Sequence, residues 1–312
     1  MKALFATFAI VLAACAVGEA PAQPETRAPA APSPTTPAPA APAAPTSLTL
    51  NCAGAFTQGG VGLCRTLPGA AISVDGVPSG EADTQGWALI GFNREHGPQG
   101  VVQASANGKS VSHTFDIAPR TFDIQRVNGL PQQTVTPTDP AVIARIQRDA
   151  AIKNAAFQSV APLEGWLDGF VRPIDPGVGV VTGTWGNQRI LNGTPSSPHF
   201  GYDIAAPIGT PVHAPASGVV TLAETDTFYE GGLVFIDHGQ GLTTMYLHMS
   251  AVNVHVGDHV TQGQVIGAVG DRGRATGPHL CWRMKWRDRQ LDPSVAIDGL
   301  AQARAQLIAA HN

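Results

Sequence analysis

The sequence has little charge. Asp, Glu, Lys and Arg make up 13% of its 312 residues, and the formal net charge is −4 at pH 7. Lys and Arg form no block in the sequence, which argues against a nucleic acid as a partner because phosphate binding requires clustered cations. After residue 15 the sequence has no apolar run long enough to cross a bilayer as a helix.

Glycine and proline, by contrast, are plentiful, with 35 and 26 residues. This composition favours short strands and turns over long amphipathic helices, so we expect a mostly β protein. A chain of this length has room for two ordinary domains and a tail.

The first fifteen residues have the pattern of an export signal. They begin with Met1-Lys2, continue with an apolar segment and end in Leu12-Ala13-Ala14-Cys15. This ending resembles a bacterial lipobox, in which cleavage occurs before a cysteine that carries lipid. An ordinary signal peptide, cut after a small residue such as Ala20, is the alternative. Residues 1–15 therefore predict a lipoprotein signal peptide, with Cys15 as the lipidation site and the lipid as a membrane anchor.

Export also determines how the remaining cysteines are interpreted. Ala16, rather than Asp, follows the lipidation site, and by analogy this favours the outer membrane of a Gram-negative bacterium, facing the periplasm. In such an oxidising compartment Cys52 and Cys64, which lie in one short stretch, could form a disulfide. Cys281 is then left without a cysteine partner.

Two segments precede the middle of the chain. Residues 16–47 are rich in Pro and Ala and have almost no apolar bulk to bury, which predicts an extended linker. Residues 48–119 contain short β-rich runs separated by turn signals, including the hairpin dipeptides Asp75-Gly76 and Asn107-Gly108. This pattern predicts a small immunoglobulin-like β-sandwich.

The remainder divides into a connector, a second β domain and a tail. Within residues 120–164, Thr138-Asp139-Pro140 is a helix start followed by apolar residues at helical spacing, which predicts a connecting helix. Residues 165–300 have many short β runs punctuated by glycine, which predicts an antiparallel β domain. Residues 301–312 are interpreted as a C-terminal tail.

The candidate chemistry lies in the second β domain. His199 is followed four residues later by Asp203, and Gly201 between them lets the backbone fold so that both side chains converge. An imidazole and a carboxylate are common zinc ligands, and a catalytic zinc site needs a third. His279 and Cys281 lie two residues apart, so on a strand they point to the same face.

His248 follows a predicted strand and is a further candidate. A metal-dependent hydrolase needs a nearby histidine to take a proton from water and a donor for the developing oxyanion. Together with the residues above, His248 predicts a hydrolytic metal site.

An ordered series of runs extends across residues 165–297. It includes His199-Phe200-Gly201-Tyr202-Asp203, Thr244-Met245-Tyr246-Leu247-His248 and Thr276-Gly277-Pro278-His279. This series resembles the lysostaphin-type (LytM-like) murein metallopeptidases. The resemblance implies an antiparallel β fold with zinc in a groove, and cleavage of peptide bonds in the stems or cross-links of peptidoglycan. By position, it implies that His199 and Asp203 are zinc ligands and that His248 and His279 handle the proton and the oxyanion.

Cys281 departs from the family pattern, which has a histidine there as the third zinc ligand. A cysteine sulfur can reach zinc from the same backbone position, so Cys281 is the predicted third ligand. A thiolate adds a negative charge that a histidine does not, and this makes zinc a weaker Lewis acid. Three functions therefore stay open. The first is a zinc-dependent peptidoglycan endopeptidase, and the second is a catalytically impaired module that binds peptidoglycan or activates another cell-wall hydrolase. The third is a redox-gated enzyme in which Cys281 binds zinc only when reduced.

Other candidates in this region are interpreted as surface or structural residues. Trp282 is expected to pack behind its strand, with a place in a substrate groove beside Arg283 as the alternative. Four histidines lie outside the family's ligand positions: His213, His238, His255 and His259.

Overall fold

The computed structural model describes residues 43–310. The predicted signal peptide, Cys15 and most of the Pro/Ala-rich linker lie outside this range. No helix among the described residues is long and apolar enough to cross a membrane.

The N-terminal part of the described chain contains seven strands. They form two antiparallel sheets, ordered β1-β2-β5 and β4-β3-β6-β7, and the immunoglobulin-like classification of this region stays a prediction. Asp75-Gly76 and Asn107-Gly108 make the β3–β4 and β6–β7 turns with positive φ at all four residues, which is the backbone that tight hairpins need. The strands are β1 (Leu50–Gly54), β2 (Val61–Thr66), β3 (Ala71–Val74), β4 (Val77–Glu81), β5 (Trp87–Gly91), β6 (Gln99–Ala106) and β7 (Lys109–Asp116).

Cys52 and Cys64 lie directly opposite each other on β1 and β2 and are joined in a disulfide. Of the four cysteines in the sequence, this accounts for two, and Cys281 is a free, buried thiol.

The connector contains more than the expected helix. Helix α1 (Pro140–Ala156) starts where the sequence predicts, with the Asp139 carboxylate accepting a hydrogen bond from the Ala141 amide at 2.7 Å. Before it, strand β8 (Ile124–Val127) and a 3-10 helix (Gln132–Thr134) lie against the second β domain. Strand β8 was not predicted, because its pairing partner lies far later in the chain, beginning at Gln188.

The second β domain is built on one large antiparallel sheet. Its order is β18-β14-β15-β16-β20-β12-β9, with β21 paired to β20. Two smaller sheets, β13-β19-β17 and β11-β10-β8, complete the domain, and β10 pairs with β8 in parallel. The bounds are β9 (Val180–Gly183), β10 (Gln188–Leu191), β11 (Thr194–Pro195), β12 (Gly201–Ala205), β13 (Pro211–His213), β14 (Gly218–Thr227), β15 (Gly231–Asp237), β16 (Leu242–Met249), β17 (Ala251–Val252), β18 (His259–Val260), β19 (Val265–Ala268), β20 (His279–Trp286) and β21 (Arg289–Leu291).

The predicted C-terminal tail is largely helical. After a 3-10 helix (Pro293–Val295), α2 (Gly299–Ala309) packs against β1 and β2. Its buried residues are Leu300, Ala303 and Leu307, which recur at helical spacing. Burial of this apolar stripe explains why the segment forms a helix.

The N-terminal strands and the second β domain share one buried apolar cluster that runs from Leu50 to Leu307. Polar contacts cross between them as well. The Gln240 side chain accepts a hydrogen bond from the Leu89 amide at 2.9 Å and donates one to the Trp87 carbonyl at 3.0 Å. The described residues therefore form one compact unit.

Candidate metal centre

The candidate ligands are brought together by the pairing of β12 with β20. Asp203 lies directly opposite Cys281, and Ala205 lies opposite His279. Residues that face each other across an antiparallel pair have their side chains on the same side of the sheet. His199 reaches the same place from the segment just before β12. The structure thus places all three sequence-predicted ligands in one cluster.

The ligand atoms are closely spaced and buried. His199 Nε2 lies 3.2 Å from Asp203 Oδ1 and 3.6 Å from Cys281 Sγ. All three ligand atoms lie within 4.8 Å of one another. The three residues are only 2%, 6% and 1% exposed, respectively, so these polar atoms are shielded from water.

These distances fit a zinc ion. With bonds of about 2.0–2.3 Å at tetrahedral angles, neighbouring nitrogen and oxygen ligands are about 3.3 Å apart, and nitrogen and sulfur ligands about 3.5 Å apart. Asp203 Oδ1 is buried and accepts no well-formed hydrogen bond within the described residues, which leaves it free for a cation. The donor set of imidazole, carboxylate and thiolate is also one that zinc accepts.

Gly201 keeps this cluster open. A Cβ at this position would lie 2.3 Å from Cys281 Sγ and 2.8 Å from His199 Nε2, both too close for non-bonded atoms. Only glycine therefore leaves room for these two side chains.

The other carboxylate oxygen of Asp203 is held in place by a cation. Arg189, on β10, donates to Asp203 Oδ2 at 2.9 Å and to Gln125 of β8 at 3.0 Å. Burial acts to raise the pKa of Asp203, but His199, His279 and Arg189 outweigh it, so the pKa lies below its usual range. Asp203 is therefore a carboxylate with one oxygen bound and one free. No local sequence motif marks Arg189 as part of the site.

Burial also shifts the pKa values of the other two ligands. The pKa of His199 is lowered because burial disfavours the imidazolium form, although Asp203 acts against this. Burial and the nearby Asp203 carboxylate raise the pKa of Cys281 to about 12. Arg283 opposes that rise, since its Nε donates to Cys281 Sγ at 3.5 Å. Without a metal Cys281 is thus a thiol, and a bound zinc ion would displace its proton.

His248 and His279 form a pair beside the ligands. Their ring centroids are 4.6 Å apart, and His279 Nε2 lies 4.0 Å from Asp203 Oδ1. His248 Nδ1 bonds the Arg272 carbonyl at 2.8 Å, and His279 Nδ1 bonds the Gly277 carbonyl at 2.8 Å. Because a carbonyl only accepts, each Nδ1 carries a proton, and Nε2 is the ring nitrogen of each histidine that faces away from these bonds.

The backbone at His248 is irregular. The β15–β16 register shifts between Gly232 and Val234, opposite the segment that contains His248, and His248 has φ 66°. Such bulges redirect a side chain out of the regular alternation, and a non-glycine residue in this region is under strain. Burial and the neighbouring His279 lower the pKa of His248 to about 3, so it is neutral near pH 7.

A cavity of about 290 Å³ opens onto Asp203 and the histidine pair. The loop before β20 lines one side of it, with Arg274 among its residues, and the connector lines another with Gln125, Val127 and Leu130. No motif marks these connector residues in the sequence, because they reach the cavity only through the pairing of β8 with β10.

Two of the remaining candidates, His238 and Trp282, are buried inside the domain. His238 is fully buried, and its ring nitrogens bond the Ser217 carbonyl and the Thr244 hydroxyl, each at 2.7 Å. Burial lowers the pKa of His238 to about 4. Trp282 is fully buried, which agrees with packing rather than a groove position.

Residues 197–293 match the model of peptidase family M23. Peptidoglycan DD-endopeptidase ShyA of Vibrio cholerae is 44% identical over 96 residues, which are 31% of this chain and 22% of ShyA. DD-carboxypeptidase/endopeptidase Mpg of Neisseria meningitidis is 45% identical over 100 residues, which are 32% of this chain and 23% of Mpg. The chain thus spans under a quarter of the length of these curated relatives.

A crystal structure from Pseudomonas aeruginosa, assigned to peptidase M23, has a similar fold over a longer range. It is 29% identical, covers 78% of this chain and 95% of its own, and superposes with a TM-score of 0.59. The chain therefore carries a peptidase family M23 domain, as the resemblance implied, within a mostly β fold.

Proposed function

We propose that the M23 domain is a zinc-dependent peptidoglycan endopeptidase that hydrolyses stem-peptide or cross-link amide bonds in the cell envelope. One observation carries the proposal: His199 Nε2, the free Asp203 Oδ1 and Cys281 Sγ converge at spacings suited to tetrahedral zinc, beside two histidines with free Nε2 atoms. The names of the relatives ShyA and Mpg point to DD bonds in peptidoglycan as the substrate.

The residues divide into holders and proton carriers. His199, Asp203 and Cys281 would hold zinc, which when bound supplies a Lewis acid that polarises the scissile carbonyl and acidifies water. His248 and His279 hold Nδ1–H against backbone carbonyls and turn Nε2 away from them, so Nε2 is the atom that would take the proton of the attacking water and later donate one to the leaving amine. Once protonated, the same N–H also serves as a donor to the developing oxyanion.

The location follows from the substrate. Peptidoglycan lies in the envelope, so a protein that cleaves it must be exported. The predicted lipobox at Cys15 and the Pro/Ala-rich linker would tether the M23 domain to the outer membrane on its periplasmic side.

The test is hydrolysis by the purified, zinc-loaded protein, with metal content measured in parallel. We expect about one zinc per chain and release of soluble muropeptides from peptidoglycan. His279→Ala should reduce release by about 10²–10⁴-fold, the range for loss of a general acid–base residue. His255→Ala is the matched control, because that side chain is 91% exposed and lies outside the cluster. A zinc-loaded protein with no activity on any peptidoglycan would contradict the proposal.

The alternative is a catalytically impaired module that binds peptidoglycan or activates another cell-wall hydrolase. The extra negative charge of Cys281 favours it, because a thiolate weakens the Lewis acidity of zinc. Cys281→His separates the two functions. If the wild-type protein is silent and the variant hydrolyses peptidoglycan, the impaired module is correct; comparable activity in both supports the enzyme.

A further inference from the structure

Arg283 is bound to the one ligand that departs from the family pattern. It lies two residues after Cys281 on β20, so strand alternation puts both side chains on the same face. Its Nε donates to Cys281 Sγ at 3.5 Å, within hydrogen-bonding distance for sulfur. A histidine at position 281 would place a neutral ring beside the guanidinium, and Arg283 would lose the thiolate that Cys281 forms when zinc is bound.

The charges of the cluster show what Arg283 does. Asp203 is one anionic ligand, and Arg189 binds its Oδ2 at 2.9 Å. A thiolate at Cys281 is a second anionic ligand, and Arg283 is the cation beside it. Each negative ligand thus has one arginine beside it, and the charges of the two anions and the two arginines cancel. A His, Asp and His set has only one anion, and Arg189 alone would cancel its charge.

The position of Arg283 argues against a direct role with substrate. Asp203, His248 and His279 line the cavity that opens between the connector and the loop before β20. Arg283 instead lines a second cavity, beneath α1, together with residues such as Lys153 and Glu230. Those two residues form an ion pair with each other. Arg283 therefore meets the site through the sulfur of Cys281.

We propose that Arg283 is a positioning residue for zinc, which orients the Cys281 sulfur and offsets the charge of its thiolate so that a cysteine can replace a histidine ligand. The inference rests on the zinc binding in the proposed function. Hydrogen bonds to ligands tune metal affinity and the electron density at the ligand atom, and an N–H donor to sulfur withdraws charge from it. Cys281 and Arg283 would accordingly act as a pair.

The experiment is a double-mutant cycle on zinc affinity in the full chain. Arg283→Met, which keeps much of the length and volume, is made in the wild-type protein and in the Cys281→His variant. Zinc dissociation constants are measured by competition with a chromophoric chelator. Loss of a hydrogen bond to a ligand costs about 10–100-fold in affinity, so we expect that loss in the wild-type background. In the Cys281→His background the pair no longer exists, and Arg283→Met should change the affinity by no more than about twofold.

Lys285→Met is the matched control. Lys285 is a cation on the same strand and face as Arg283, and it lies over the Phe157 ring at 3.9 Å rather than on the sulfur. Its loss should change zinc affinity by no more than about twofold. An equal loss for Lys285→Met and Arg283→Met would mean that general charge, and not the contact with sulfur, sets the affinity, and would overturn the inference.

A second readout reports on the sulfur itself. With cobalt in place of zinc, the sulfur-to-metal charge-transfer band should shift in Arg283→Met and stay unchanged in Lys285→Met. If Arg283→Met fails to fold, Arg283→Lys retains the charge but not the Nε donor, and the same band should shift. Zinc binding in the wild type together with an unchanged affinity and band in the Arg283 variants would refute only this inference. Absence of zinc binding in the wild type would instead refute the proposed function on which it rests.

Discussion

Asp203 and Cys281 face each other across β12 and β20, and each is bound by one arginine of different origin. Arg189 reaches Asp203 from β10, fourteen residues earlier in the chain, and is itself held by Gln125 of β8. Arg283 reaches Cys281 from its own strand, two residues away. The contact of the Asp203 carboxylate with Arg189 therefore depends on how the connector packs. The contact of the Cys281 thiol with Arg283 depends on the geometry of a single strand.

The largest expected effect comes from filling the space that Gly201 leaves beside His199 and Cys281. Gly201→Ala leaves every ligand in the sequence but places a Cβ 2.3 Å from Cys281 Sγ and 2.8 Å from His199 Nε2. We expect zinc content to fall from about one per chain to near zero, measured by elemental analysis after dialysis. Gly97→Ala is the control, because no atom other than those of its own chain neighbours lies within 4 Å of the Cβ it would add. Full zinc content in Gly201→Ala would show that the ligands do not converge as described.

The next effect isolates the carboxylate side of the comparison. Arg189→Met removes the donor to Asp203 Oδ2, so the ligand loses its orientation and zinc affinity should fall by about 10–100-fold. Unlike Arg283→Met, it should do so to the same degree in the wild-type protein and in the Cys281→His variant. The measurement is again competition with a chelator. If the effect of Arg189→Met differs between Cys281 and His at position 281, the Arg189–Asp203 and Arg283–Cys281 contacts are not independent.

The smallest effect concerns a buried histidine outside the site. His238 has both nitrogens bonded and a pKa lowered by burial to about 4, against about 6.5 in an unfolded chain. As the pH falls below about 6.5, His238 binds a proton in the unfolded chain but stays neutral in the folded one. The folded state therefore loses stability as the pH falls, until His238 is protonated in both states below about pH 4. Between pH 7 and pH 5 this loss is about 2 kcal/mol.

Urea unfolding of the metal-free protein at both pH values measures that loss. His238→Gln will be less stable at either pH, since it gives up buried hydrogen bonds, but its stability should fall by about 2 kcal/mol less between them. An identical pH dependence in the two proteins would show that His238 does not resist protonation.

The sequence alone predicted the parts of the site that depend on short spacing. Strand alternation brings His279 and Cys281 to one face, and β20 does begin at His279. Arg283 follows the same alternation, so its contact with Cys281 could be predicted from the sequence, although the only role weighed for Arg283 was a place in a substrate groove. The helix start at Asp139 and the two hairpin turns were likewise local.

What the sequence could not supply depends on pairing between distant strands. Arg189 reaches Asp203 because β10 pairs in parallel with β8, and no local sequence pattern predicts a parallel pair of four-residue strands. The bulge that redirects His248 is a property of the β15–β16 register. Helix α2 is a different case, since Leu300, Ala303 and Leu307 recur at helical spacing in the sequence itself.

The hydrogen bonds between Gln240 and β5 affect how the protein unfolds. Gln240 fills the hydrogen-bonding positions of Leu89 and Trp87, and α2, from the far end of the chain, packs on β1 and β2. Opening the N-terminal strands would expose these polar groups and the shared apolar cluster together. The N-terminal strands and the M23 domain are therefore expected to melt in a single cooperative transition. Removing the N-terminal strands would uncover the apolar surface that the M23 domain shares with them.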